Sequence, residues 1–212
     1  MHVKVSMIDR QQFELIRLKH GGYASWAVWA AAARGPKSNI NDLSVLDVAT
    51  TPTTLDVLKN DIVMVGLNIS RSFAERFRNF HDPSPSANDF KIRFAFTNTE
   101  YYGAYMTDII KNVEMVSSVE LLKYLTTSPS LLRTNVEVFR EELRDLGSQR
   151  PTILAFGSAA HALIAENISR DEYSSLVRLT HYSHQIGKEK YRDTVLRQIS
   201  LHTAEGSFRV GA

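Results

Sequence analysis

The chain contains no cysteine. That single absence excludes disulfides, thiolate nucleophiles, cysteine-bound zinc and iron–sulfur clusters. Glycine (10) and proline (6) are sparse among 212 residues, and no internal repeat or low-complexity tract interrupts them. An excess of one charge sign is also missing: 25 Lys and Arg against 23 Asp and Glu leave a net charge of +2. A histone-like basic binder and an acidic disordered tail are therefore excluded, although a local basic rim is not. The longest wholly apolar run is Trp26 to Ala33, far short of the ~20 residues that span a bilayer. The start, Met1-His2-Val3-Lys4, lacks an apolar secretory core. These features predict a soluble, cytoplasmic protein with no membrane partner. No Gly-x-x-x-x-Gly-Lys-Ser/Thr, Gly-x-Gly-x-x-Gly or Gly-x-Ser-x-Gly run occurs, which argues against ATPase, dinucleotide and serine-hydrolase chemistry. His-Glu-x-x-His spacing is absent as well, so neither a metal nor a cofactor is expected.

What remains is ordinary globular material, 43% hydrophobic and 23% charged. At roughly 150 residues per domain, one domain or two small ones are expected. Residues 1–60 differ in texture from the rest and read as an N-terminal helical arm packed on a main domain of residues 61–212. In the arm, residues 8–18 form a plausible helix, and residues 23–33 combine helix-favouring alanines with Trp26 and Trp29 up to the stop at Gly35-Pro36. From residue 61 onward, four short apolar runs (61–67, 104–107, 152–156 and 176–180) read as strands covered on both faces. Helical patterns lie between them: capping boxes at Ser117-x-x-Glu120 and Thr134-x-x-Glu137, a stop at Gly147, and candidates at 158–166 and 188–199. Alternation of this kind predicts an α/β fold in three layers, with a central, mainly parallel, four-stranded sheet flanked by helices. Ligands of open α/β sheets bind beyond the carboxyl ends of the strands. Asn68, Asp108 and His181 stand at three such ends and are expected to converge.

Taken together, these segments resemble the uracil-DNA glycosylase superfamily over roughly residues 61–200. Val65-Gly66-Leu67-Asn68-Ile69-Ser70 resembles its first motif, and His181-Tyr182-Ser183-His184-Gln185 its second. Phe80 lies near the place of the base-stacking aromatic. Tyr105 to Lys111 resembles the strand that carries the base-reading side chain, and Pro151 to Ala160 the strand and helix between those elements. The resemblance implies hydrolysis of the N-glycosidic bond of a damaged or deaminated base flipped out of DNA. It implies that Asn68 positions the attacking water and that His181 donates to the departing base. Gly66, Leu67, Phe80 and Asp108 would surround that base. Ser70, Ser183, Gln185 and Lys188 would hold DNA, damaged or mismatched, double- or single-stranded, with Lys190 and Arg192 as further phosphate contacts. Three departures stand out. Ile69 and Tyr182 replace the usual prolines, Asp108 stands where uracil readers carry Asn, and the four cysteines of the iron–sulfur branch are missing. An ionised Asp108 only accepts hydrogen bonds, which suits an exocyclic amine.

Each residue also has a structural reading. Asn68 would serve as a turn residue, His181 as a strand-end hydrogen-bonding group, Asp108 as a turn cap, Phe80 as core, and Lys188 to Arg192 as a solvated helix face. Two other functions fit the same residues: a non-catalytic module binding nucleic acid or protein, and a hydrolase of free nucleosides.

Overall fold

The computed structural model describes residues 8–69 and 71–209, with side chains described through residue 204. The apolar runs become a sheet of β1 (Ser25–Trp26), β2 (Lys59–Asn68), β3 (Ala104–Ile110), β4 (Thr152–Phe156) and β5 (Ser175–Leu179), in the order β1-β3-β2-β4-β5. Strands β2 to β5 pair in parallel, and β1 lies antiparallel on the free edge of β3. The sheet thus has five strands rather than the four expected, and the extra strand comes from the arm. The alanine-rich segment 23–33 forms no helix. A helix would place Trp26 and Trp29 on one face. Instead Trp26 packs in the core cluster with Phe13 and Tyr105, while Trp29 packs in the other cluster with Phe80. Only an extended chain crossing the sheet edge sends two side chains so close in sequence to opposite layers.

The helices are α1 (Arg10–Lys19), α2 (Asp89–Phe96), α3 (Ser118–Thr127), α4 (Pro129–Asp145), α5 (Ser158–Asn167) and α6 (Lys188–Arg209). Ser117 caps α3 as its spacing predicts, accepting a hydrogen bond from the Glu120 N–H. The second expected capping box is not one. Helix α4 starts five residues earlier, at Pro129, whose fixed φ suits the first helical position, and Thr134 lies inside the helix. Gly147 ends α4 with φ +66°, and the Ser148 N–H reaches back to the Leu143 carbonyl. Helix α2 has no counterpart in the sequence expectations, and α6 runs beyond residue 199.

Period-two alternation along the strands divides two apolar layers. Val63, Val65, Ile153, Ala155 and Tyr105 face α1, α3, α4 and α5, whereas Met64, Met106, Leu154 and Phe156 face α2 and α6. From β2 the chain passes to β3 on one side, then returns across to β4 on the other. This reversal opens a crevice at the carboxyl end of β2, the usual ligand position of such sheets.

Candidate functional site

A cavity of about 530 Å³ occupies that crevice, within the ~300–1,000 Å³ typical of small-molecule sites. Leu67 and Asn68 from β2, Asp108 from β3, and His181 and Ser183 from the loop after β5 all line it. The three strand-end residues singled out by topology are therefore brought together.

Asn68 is half-buried, and its amide nitrogen donates to the carbonyls of Ile69 (3.0 Å), Val113 (2.9 Å) and Met115 (2.8 Å). It thereby ties the loop after β3 to the end of β2. Its Oδ1 receives no hydrogen bond from the described residues and is free to accept one from water.

Asp108 pairs in register with Gly66. A Cβ at residue 66 would lie 2.1 Å from Asp108 Oδ1, so only glycine leaves room for the carboxyl. Asp108 is 2% exposed. Asn79 Nδ2 donates to its Oδ2 at 2.7 Å and to the Tyr23 carbonyl at 2.8 Å. Oδ1 has no donor among the described residues. Burial pushes the Asp108 carboxyl up to about 7, only partly opposed by the Asn79 bond.

His181 reaches the cavity across from these two. The Ser183 N–H donates to its Nδ1 at 3.1 Å, and Ser183 Oγ lies 2.8 Å from the same atom. A backbone N–H can only donate, so Nδ1 is the acceptor and the ring proton sits on Nε2. Burial lowers the imidazole to about 4, so the ring is neutral at pH 7. Its close neighbour is Gly157, whose φ of +90° is left-handed and whose Cβ would lie 3.5 Å from the ring. Gly157 turns β4 into α5 beneath the imidazole, and Ser158 and Ala159 at the start of that helix also line the cavity.

Two aromatics complete the walls. Tyr182 stacks on His181 at 4.3 Å and 23° and meets Phe156 edge-on at 5.4 Å. Burial, reinforced by the Asp89 and Asp108 carboxyls, pushes the Tyr182 phenol well above its ordinary value. Asp89, at the first turn of α2, lines the cavity and is 7% exposed. Its Oδ2 accepts the Asp82 N–H at 2.8 Å, and burial raises it to about 7. Asp82 and Arg71 flank it, with Arg71 Nε 3.4 Å from Asp82 Oδ2. Among the described residues, no three His, Asp or Glu side chains are placed to share a metal ion.

Several anticipated residues lie elsewhere. Phe80 is buried with φ +64°, packed 6.5 Å from Phe156 and behind Gly66, and does not line the cavity. Gly66 acts through the space it leaves rather than by lining. Gln185 is exposed in the loop after β5. Lys188 borders a second hollow against Trp29 and Phe94, 4.2 Å above the Phe94 ring. Arg192 donates to the Phe94, Ala95 and Thr97 carbonyls at the end of α2 and serves packing there. Ser70 lies outside the described residues. Conversely, Asp89, Asn79 and Phe156 were not anticipated at the site. Asp89 has a legible signal, an acidic residue opening an apolar helical stretch, Phe90-Lys91-Ile92-Arg93-Phe94-Ala95-Phe96. No family model, curated protein or solved structure matches the chain.

Proposed function

We propose that the protein is a DNA glycosylase-like hydrolase that takes a flipped, damaged or deaminated base into this cavity and cleaves its N-glycosidic bond. One observation carries the reading: an amide oxygen on Asn68 and a neutral imidazole of the Nε2–H form on His181 open on one cavity from separate strand ends. Glycosidic cleavage needs both at once. Asn68 Oδ1 accepts a hydrogen bond from a water and holds it at the sugar C1′, which becomes oxocarbenium-like as the C1′–N bond lengthens. The bonding electron pair leaves with the base, and the His181 Nε2–H is positioned to donate to an acceptor on that base. Water adds to C1′ and sheds its proton to solvent. The neutral imidazole suits the task because its Nε2 already carries a proton at pH 7, so it donates without first taking one up. Phe156 and Tyr182 supply the aromatic surface that Phe80 does not, and a base–aromatic stack contributes about 1–3 kcal/mol. The exposed Ser183-His184-Gln185 turn stands at the cavity mouth, where a duplex would approach, and the Lys91 ammonium braces it through the His184 carbonyl at 2.8 Å.

Incubation with oligonucleotides carrying uracil, hypoxanthine, xanthine or a mismatch, followed by chromatography of free base, tests this. Release is expected from at least one, and Asn68→Ala is expected to slow it about 100-fold or more with DNA binding retained. Unchanged turnover in Asn68→Ala removes the proposed water-positioning role. One observation favours hydrolysis of free nucleosides instead: among the described residues Arg71 is the sole Lys or Arg on the cavity wall, so few cations wait there for a phosphate backbone. Turnover of mononucleosides with no competition from DNA identifies that case.

A further inference from the structure

We propose, resting on the glycosylase reading above, that the base this cavity is built for carries a positive charge, as an N-alkylated purine such as 7-methylguanine or 3-methyladenine does. Asp108 from β3 and Asp89 from α2 reach one hollow from opposite sides of the crevice and are both more than nine-tenths buried. Each has one oxygen held by a single donor, the Asn79 amide or the Asp82 N–H. The other oxygen of each has no donor among the described residues. Two buried, half-satisfied carboxyls at the same cavity are costly unless a ligand completes them. The glycine at residue 66 exists in a form that serves this arrangement, since any side chain there would occupy the position of Asp108 Oδ1.

The charge balance then selects the ligand. Asp82 adds a third acidic side chain to the wall, and Arg71, the sole Lys or Arg there among the described residues, is exposed and faces Asp82. Uracil departs as an anion, and ionised carboxyls beside it raise the barrier. A purine alkylated at N7 or N3 enters as a cation and departs neutral. As its C1′–N9 bond breaks, the electron pair moves to the ring and cancels the ring's charge. Water forms the new bond to C1′ and gives its proton to solvent, so no anion needs stabilising. Carboxylate oxygens accept from the ring's exocyclic amine, and the aromatic rings of Phe156 and Tyr182 line the same wall. Burial raises the Asp89 and Asp108 carboxyls, and their nearby cations, Arg71 and Lys37 for Asp89 and Lys111 for Asp108, only partly oppose that rise.

The test compares base release from oligonucleotides carrying 7-methylguanine or 3-methyladenine with release from those carrying uracil or hypoxanthine. The alkylated bases are expected to leave at least about ten-fold faster, and Asp89→Asn is expected to narrow that ratio by about ten-fold. The ratio is internal to one preparation, so partial misfolding of the variant does not alter it. Uracil or hypoxanthine leaving as fast as the alkylated bases, or a ratio unmoved by Asp89→Asn, overturns the inference and leaves the glycosylase reading intact. Release of no base from any oligonucleotide defeats that reading, and the charge preference is then decided by calorimetry. Binding of 7-methylguanosine, cationic in mildly acidic buffer, at least about ten-fold tighter than guanosine sustains it, and equal binding overturns it.

Discussion

The two faces of strand β3 each meet a buried acid, and the two acids are treated differently. On one face Tyr105 and Thr107 donate to Glu142 Oε1 of α4 at 2.8 and 2.6 Å, and the Lys111 ammonium lies 2.6 Å from Oε2. Lys111 also donates to the Asp108 carbonyl and is 2% exposed. On the other face Asp108, which lines the cavity, receives one bond, from Asn79 to Oδ2, while Oδ1 lies over Gly66 with no donor among the described residues. Glu142 is therefore part of the packing: Oε1 accepts two hydroxyls, and Oε2, which has no hydrogen bond, is compensated by the charge of the adjacent Lys111. Asp108, with Asp89 across the crevice, is kept short of partners. Folding alone does not reward that arrangement, and buried groups left in this state concentrate at sites that bind something.

The largest expected effect removes the compensated side. Glu142→Ala leaves the Lys111 charge and two hydroxyls buried without their partner and should cost about 3–5 kcal/mol in urea denaturation. A loss below about 1 kcal/mol would erase the distinction between the two acids. Asp108→Asn should act in the opposite direction. The folded state holds the Asp108 proton up to about 7, whereas the unfolded chain releases it near 3.8. The wild-type side chain thus contributes most favourably below 3.8, and that contribution is lost as pH rises through 7. The variant should therefore be more stable than wild type at pH 8, by on the order of 1–3 kcal/mol, with the gain vanishing below pH 4. A gain that persists at low pH would assign it to packing rather than ionisation. Gly66→Ala should be destabilising by about 1–3 kcal/mol because its Cβ meets Asp108 Oδ1. In an Asp108→Ala background that penalty should shrink, and a double-mutant cycle measures the coupling. Equal penalties in both backgrounds would mean that residue 66 does not shape the acid's position.

Much of the scaffold was legible in advance because it depends on local pattern. The run Thr152 to Phe156 is β4 to the residue, and the runs at 61–67 and 104–107 lie within β2 and β3. Continuous apolar stretches bounded by polar turns leave few alternatives to buried strands. Topology then brought Asn68, Asp108 and His181 to one cavity. Local pattern misled where side chains serve distant partners. The alanines at 30–33 signal helix, yet Trp26 and Trp29 have separate layers to fill. Thr134-x-x-Glu137 has capping-box spacing, yet Pro129 had already begun the helix. Phe80 sits at the right distance in sequence from Asn68, yet its backbone turns it into the core behind Gly66.

Composition and periodicity by themselves determined that this chain builds a layered α/β domain without thiol chemistry, with polar residues gathered at the carboxyl ends of its strands. Those properties follow from each segment's own alternation and from which atoms the chain contains. Only the tertiary structure decided which acid is neutralised and which is left open. That outcome turns on the register setting Gly66 against Asp108 and on α4 arriving with Glu142 beneath Tyr105 and Thr107. It also turns on α2 delivering Asp89 to the far wall. A carboxyl's charge depends on what surrounds it within a few ångströms, and those surroundings come from parts of the chain far apart in sequence.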